Sequence, residues 1–273
     1  MENKKLIVID LDGTALHDHA NLHPDTKEAL LTAKAQGHTV VIATGRPARG
    51  SLNFYRELGL DTPIINFNGA YVHKPGCEEF EEIVEQIAID RAMDIFNSPI
   101  KDDLENAVCE YKDHLYILKP DQGIASWMWM DEVDSITYGE FHETLDQDPS
   151  GFILQAKPGH EQKVMDYLRE HFSDIVACRN WGDGYQNIIE VFKCNINKGT
   201  ALATLAQRLG FHVEDIIVFG DGDNDVEMLT FAGTGVAMGN AIEALKAIAN
   251  AHTSSNEEGG IAEYLYKHVL TPN

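Results

Sequence analysis

The chain is short of several kinds of residue, and each shortage disfavours a class of protein. It has four cysteines in 273 residues, far apart and without a Cys-x-x-Cys pair, which disfavours a disulfide framework or a cysteine metal site. It has no long apolar run, and the first one, at residues 6–9, is too short for a signal peptide or a membrane span. We therefore expect a cytoplasmic protein with reduced thiols and no membrane partner.

Basic residues are also scarce. The chain has 21 Lys and Arg against 44 Asp and Glu, which is a formal net charge of −23. Such a charge repels nucleic acid and anionic membranes, so neither is expected as a partner. An anionic ligand would need positive charge supplied locally, by a metal ion, a lysine or a helix N-terminus. The length suits one large domain or two small ones.

Two carboxylates, Asp10 and Asp12, follow the first apolar run and precede a glycine. Taken alone, this pattern is also typical of a polar turn. Three later segments favour a site instead: an apolar run ending in Thr44-Gly45-Arg46, an isolated lysine, Lys198, that opens a helical pattern, and an apolar run ending in the acidic segment 220–225. Ligands bind at the carboxyl ends of strands in open α/β sheets, so the four segments predict one site at that edge.

The order of elements predicts an α/β core with an inserted module. The alternation predicts strands at 4–10, 39–43 and 63–67 and helices at 24–36 and 47–58, as in parallel sheets with right-handed crossovers. It resumes after residue 197 with a helix at 198–209, a strand at 215–220, a helix at 224–231 and a strand at 234–238. Between these halves, helices and paired strands predict a separate α+β module, including a helix at 122–134. The predicted division is a core of 1–83 and 189–273 and a second domain of 84–188.

Taken in order, the four segments resemble the motifs of the haloacid dehalogenase (HAD) superfamily. Asp10-Leu-Asp12-Gly-Thr14 is similar to its first motif, Thr44-Gly45-Arg46 to its second, Lys198 to its third and residues 220–225 to its fourth. The long stretch between the second and third motifs, preceded by Asn66-Phe-Asn68-Gly69-Ala70, resembles the Cof-type branch of sugar-phosphate phosphatases. The resemblance implies a Rossmann-like parallel-sheet core with an inserted α+β cap of the C2 type.

The resemblance also implies roles for the motif residues. Asp10 would be the nucleophile that forms an acyl-phosphate, and Asp12 the general acid and base. Mg²⁺ would be held by the Asp10 side chain, the Asp12 backbone carbonyl and the Asp221 side chain. Lys198 would neutralise the phosphate and the nucleophile. Phosphate oxygens would be bound by Leu11, Thr44, Gly45 and Asn224. Asp225 would support the site.

These implications favour an Mg²⁺-dependent phosphatase that acts on small phosphorylated metabolites, above all sugar phosphates. Two alternatives stay open. One is a phosphosugar mutase, which shares the Asp-x-Asp pair, and the other is a binding protein on an inactive core, which would be expected to lack one of the motif residues. For Arg46, a substrate contact and an ion pair with an acidic neighbour are equally compatible with the sequence. We expect a monomer or a small homo-oligomer.

Overall fold

The computed structural model describes residues 4–18, 20–121, 128–130, 133–182, 185 and 187–271. Its contacts divide the chain into two compact units. Unit 1 consists of Met1–Arg46, Ser51–Ile83 and Asn197–Asn273, and unit 2 of Pro47–Gly50 and Val84–Ile196. The sequence-based division puts residues 47–50 and 189–196 with the core, whereas the contacts group them with unit 2.

The strands in chain order are β1 (Leu6–Ile9), β2 (Thr39–Ile42), β3 (Ile64–Asn66), β4 (Tyr71–His73), β5 (Ile83–Val84), β6 (Leu104–Tyr111), β7 (His114–Ile117), β8 (Ser135–Tyr138), β9 (Gly151–Ala156), β10 (Val176–Asn180), β11 (Ile188–Lys193), β12 (Ile216–Gly220), β13 (Thr234–Ala237) and β14 (Ala251–His252). The helices are α1 (Pro24–Ala35), α2 (Leu52–Glu57), α3 (Ile89–Phe96), α4 (Phe141–Thr144), α5 (Glu161–His171), α6 (Lys198–Leu209), α7 (Val226–Phe231), α8 (Glu243–Ile248) and α9 (Gly260–His268). Within the described ranges, no helix has the length and apolar character needed to cross a membrane.

Unit 1 is built on a parallel five-stranded sheet in the order β14-β13-β12-β1-β2. β1 lies between β12 and β2, with Ile7 opposite Ile217 on one side and Val40 on the other. All four residues of β1 are buried, as expected for a strand covered on both faces. The carboxyl ends of β1, β2 and β12 therefore lie at one edge of the sheet, and the motif residues follow them directly.

Two elements of unit 1 differ from the sequence-based expectation. The strand predicted at 63–67 is β3, but it pairs antiparallel with β4 in a separate sheet of order β3-β4-β5. A single parallel bridge, Ala43 to Ile65, links it to the end of β2. The chain reverses directly after β3, and all three residues of β3 pair with β4 instead of extending the large sheet. The helix predicted at 47–58 is shortened to α2, preceded by a single 3₁₀ turn at Ala48–Gly50.

Unit 2 contains a six-stranded sheet in the order β10-β11-β9-β6-β7-β8. Its pairs are antiparallel except for the parallel pair β7–β8. A second hydrophobic core, separate from that of unit 1, includes Cys109, Phe152, Leu154, Leu168 and Val191. The helix predicted at 122–134 falls largely outside the described residues. The arrangement of both units agrees with the predicted fold class, a parallel-sheet core with an α+β insertion.

Candidate active site

Asp10 is the first residue after β1 and lies at the edge where the parallel strands end. Its backbone N–H donates to the Phe219 carbonyl on β12 at 3.2 Å, so the neighbouring strand fixes its position. Burial raises the pKa of Asp10 well above its usual range, and the nearby Asp225, Asp221 and Asp12 add to the rise, while Lys198 opposes it. The residue is thus a buried carboxylate in surroundings that are short of positive charge.

Lys198 is the first residue of α6, and its side chain is fully buried. The helix begins there because the Asn197 side chain accepts from the Thr200 N–H, in a reciprocal cap with the Thr200 hydroxyl. The Lys198 ammonium donates to Asp10 Oδ1 and to Asp225 Oδ1, each at 2.7 Å. Burial acts to lower the pKa of Lys198, but the two carboxylates outweigh it and the net shift is upward. The lysine therefore stays charged between them.

Asp221 and Asp225 follow β12. Asp225 is fully buried, with Oδ1 bonded to Lys198 and Oδ2 accepting the backbone N–H groups of Asp221 and Gly222 at 2.9 and 3.0 Å. Asp221 accepts from the Thr14 hydroxyl at 2.7 Å. Burial, together with repulsion from Asp225, raises the pKa of Asp221 to about 6. Asp225 therefore supports the lysine and the turn, while Asp221 faces the first motif.

The acidic residues of this edge fit a divalent cation. Asp10, Asp221 and Asp225 bring carboxylate oxygens within 4.8 Å of one another. One lysine cannot balance the two buried carboxylates and the half-buried Asp221, and repulsion from neighbouring carboxylates adds to the burial that raises the pKa values of Asp10 and Asp221. Oxygen ligands of this kind suit Mg²⁺. Because both Asp225 oxygens already accept hydrogen bonds, Asp10 and Asp221 are the better ligands of the three.

The Asp12 side chain is bound by Arg46. The Arg46 Nε donates to Asp12 Oδ2 at 2.7 Å, and its Nη2 donates to the other oxygen. The structure thus contains the ion pair that the sequence left as one of two possibilities for Arg46. The guanidinium also lies over the Phe54 ring, 5.4 Å from its centroid. Arg46 therefore holds the candidate acid–base group in place.

The predicted phosphate-binding residues lie on neighbouring turns of unit 1. Leu11 is buried, and its carbonyl accepts from the N–H groups of the turn that follows. Thr44 is fully buried after β2, and its hydroxyl accepts the Arg46 N–H at 3.1 Å. Gly45 lies against the Asn68 side chain, and the Asn224 amide donates to Asn68 Oδ1 at 2.9 Å. Their proposed contacts with phosphate stay predictions.

Some residues around the site carry no clear signal in the sequence. Asn240 donates to the Gly13 carbonyl at 2.8 Å and so ties a distant loop to the first motif. Asn66 bonds the Arg46 carbonyl at 2.9 Å, and Asn68 bonds Asn224. The Asn-Gly-Ala resemblance points to the segment of Asn66 and Asn68, but not to these contacts. No pattern singles out Asn240.

Comparison with known proteins agrees with this geometry. The sequence model of the haloacid dehalogenase-like hydrolases matches residues 7–265. The chain therefore belongs to the haloacid dehalogenase-like hydrolase family and, within it, to the Cof-type branch. The predicted family and fold class are confirmed.

Three relatives illustrate the likeness. The 5-amino-6-(5-phospho-D-ribitylamino)uracil phosphatase of Bacillus subtilis is 36% identical, over 98% of this chain and 99% of its own length. The pyridoxal phosphate phosphatase of Escherichia coli is 27% identical, over 97% of this chain and 99% of its own. The crystal structure of a Thermotoga maritima protein superposes with a TM-score of 0.83 at 29% identity, covering 98% of each chain.

Proposed function

We propose that this phosphatase hydrolyses small phosphorylated metabolites, in particular sugar phosphates, through a phosphoryl group carried on Asp10. The observation that carries the proposal is the buried Lys198 ammonium, 2.7 Å from Asp10 Oδ1 and from Asp225 Oδ1. A charged lysine there opposes the rise in the pKa of Asp10 that burial causes, and it balances the charge that builds up as phosphate transfers. Relatives named as phosphatases of 5-amino-6-(5-phospho-D-ribitylamino)uracil and of pyridoxal phosphate support a small phosphate ester as substrate.

The proposed reaction has two steps. In the first, an Asp10 oxygen bonds to phosphorus, the bond from phosphorus to the ester oxygen breaks, and Asp12 gives its proton to the leaving alcohol. In the second, Asp12 takes a proton from water, the water oxygen bonds to phosphorus, and the Asp10–phosphorus bond breaks. Thr44, Gly45, Leu11 and Asn224 hold the phosphate oxygens, and Lys198 balances their charge.

We further propose that Mg²⁺ binds the Asp10 and Asp221 carboxylates and the Asp12 carbonyl, where it would supply positive charge against a phosphate dianion. The carboxylate cluster and its raised pKa values support a divalent ion of this type. The division into a catalytic core and a cap of about 84–188, and a cytoplasmic location with four reduced cysteines, belong to the same proposal.

Phosphate release from a panel of esters with Mg²⁺ tests the proposal. The panel contains sugar phosphates, pyridoxal phosphate and 5-amino-6-(5-phospho-D-ribitylamino)uracil. We expect steady release from at least one ester and a loss of roughly a thousandfold or more in Asp10→Asn. Asp25→Asn, the same substitution at an exposed helix position, controls for contaminating phosphatases. Phosphoryl transfer between hydroxyls without phosphate release would indicate the mutase, and substrate binding with no turnover would indicate the binding protein.

A further inference from the structure

The turn between β3 and β4 has an unusual backbone. Three successive residues have positive φ angles: Phe67 at +49°, Asn68 at +53° and Gly69 at +106°. Asparagine tolerates this region, but a bulky residue such as Phe67 adopts it rarely, and at a cost of the order of 1 kcal/mol or more. Glycine is required at 69, because a Cβ there would lie 2.4 Å from the Asn197 carbonyl oxygen. The surrounding structure must therefore hold the turn in this shape.

Asn66 anchors the start of the turn to the second motif. Its Nδ2 donates to the Arg46 carbonyl at 2.9 Å and to the Ser51 hydroxyl at 2.8 Å. Its Oδ1 lies 3.0 Å from Nε2 of His73, a buried side chain whose ring stacks on Tyr71 at 4.2 Å. These bonds leave Asn66 one orientation, with its amide nitrogen towards Arg46.

Asn68 connects the second motif to the fourth. Its backbone N–H donates to the Thr44 carbonyl at 3.1 Å. Its Oδ1 accepts from Asn224 Nδ2 at 2.9 Å, and its amide group lies against Gly45. Asn224 Oδ1 lies beside Gly222, 2.7 Å from where a Cβ on that residue would be, so a side chain at position 222 would displace it. The hydrogen bond to Asn68 thus orients the nitrogen end of the Asn224 amide.

We infer that Asn68 is a positioning residue, which turns the Asn224 amide so that its second N–H, rather than its carbonyl oxygen, faces the phosphate. The inference rests on the proposed function, since it takes Asn224 as a phosphate ligand. An amide nitrogen has two hydrogens, and the bond to Asn68 uses one and directs the other. A flipped amide would present an acceptor oxygen to an anion and would repel it. The strained turn places the Asn68 oxygen where it prevents that flip.

Asn68→Gly tests this role with little change to the backbone, because glycine adopts positive φ without strain and keeps the N–H that bonds Thr44. We expect kcat/KM for p-nitrophenyl phosphate with Mg²⁺ to fall roughly three- to tenfold, mostly through KM. Asn224→Ala should fall by at least as much. In the double variant Asn68→Gly/Asn224→Ala, the Asn68 change should cost less than twofold, because no amide remains to be oriented.

Phe67→Gly is the matched control, since it changes the same turn but leaves the Asn68–Asn224 bond intact, and it should keep kcat/KM within twofold. Multiplicative losses in the double variant, or an unchanged Asn68→Gly enzyme, would overturn the inference while leaving the proposed function standing. A wild-type protein that releases no phosphate from any ester would instead overturn the proposed function. If Asn68→Gly does not fold, Asn68→Ser enters the same cycle, because its hydroxyl is too short to reach Asn224.

Discussion

In the proposed reaction the Asp12 carboxyl group donates a proton to the leaving alcohol. Arg46 binds both oxygens of the Asp12 side chain. Because an alkoxide leaves poorly without a proton while a phenolate leaves readily, Asp12→Asn should slow alkyl phosphates far more than aryl phosphates. We expect a difference of roughly a hundredfold in the loss of kcat/KM between the two ester types. Steady-state rates on a sugar phosphate and on p-nitrophenyl phosphate measure it, and equal losses would contradict acid assistance by Asp12.

The lack of a side chain at Gly13 lets Asp221 lie close to the first motif. It has φ +73°, and a Cβ on it would lie 2.2 Å from Asp221 Oδ2. Gly13→Ala should therefore cost about 1–3 kcal/mol of stability and raise the Mg²⁺ concentration needed for half-maximal activity. Gly76→Ala is a close control, because Gly76 has φ +74° and no atom within 4 Å of the added Cβ. It should show the backbone cost alone, and a normal Mg²⁺ response in Gly13→Ala would count against Asp221 as a ligand.

At the scale of elements, the segment Pro47–Gly50 is joined to β6 in unit 2 by a buried ion pair. The Arg49 guanidinium donates to Glu110 Oε1 at 2.6 Å and to the Met128 carbonyl at 3.0 Å. Burial raises the pKa of Glu110 even though Arg49 acts to lower it. Breaking such a pair from one side leaves an uncompensated buried charge, which costs roughly 3–5 kcal/mol.

We therefore expect Arg49→Met to destabilise the protein, and more strongly at pH 8 than at pH 5. Without Arg49 the pKa of Glu110 rises further in the folded state, so the unfolded state loses the proton first. Stability then falls as the pH rises above about 4.5, the ordinary value for glutamate, towards the folded pKa. Urea unfolding at both pH values measures this. Arg91→Met, at an exposed pair with Asp94, should cost less than about 1 kcal/mol at either pH, and an equal loss for Arg49→Met at the two pH values would refute the argument.

Elements that depend on local pattern could be predicted from the sequence, and those that depend on distant partners could not. The apolar runs of β1, β2 and β12 predict the parallel sheet, and hence the shared edge that carries Asp10, Thr44 and Asp221. The two-residue strand β14 is too short to produce a pattern. The direction of β3 depends on the turn after it, where the positive φ of Phe67 contradicts the preference of its residue type and follows from bonds to Arg46 and Thr44.

The residues of the candidate site show the same difference between local and distant signals. Lys198 is conspicuous in the sequence because a lysine opposes the dipole at a helix N-terminus, and the structure supplies its two carboxylate partners. At Asn68 and Arg49, the neighbouring sequence contains no comparable signal that would single the residue out. Their contacts join residues 156 and 61 positions apart, and only the folded chain brings those together.

At the scale of the whole molecule, the two units have separate hydrophobic cores, and the candidate site lies wholly in unit 1. A ligand that binds only the folded site stabilises the folded unit that contains the site. At a ligand concentration a hundred times the Kd, the free energy of unfolding rises by about 2.7 kcal/mol. Mg²⁺ with inorganic phosphate should therefore stabilise unit 1 directly, because the residues proposed to bind them belong to unit 1. If the cores unfold separately, the ligands will shift one unfolding transition and leave the other in place.

The distribution of tryptophan makes this separation measurable. All three tryptophans of the chain fall within the sequence range that unit 2 spans, 84–196, whereas helices of both units contribute to circular dichroism. In a urea titration with Mg²⁺ and phosphate, we expect the tryptophan fluorescence midpoint to stay where it is without ligand. The circular dichroism curve should gain a later phase from unit 1. Asp221→Asn, which weakens the proposed metal site, should lose that later phase. Coincident curves that shift together on adding ligand would mean that the chain unfolds as one cooperative unit, and that the stability of unit 2 depends on the site it does not contain.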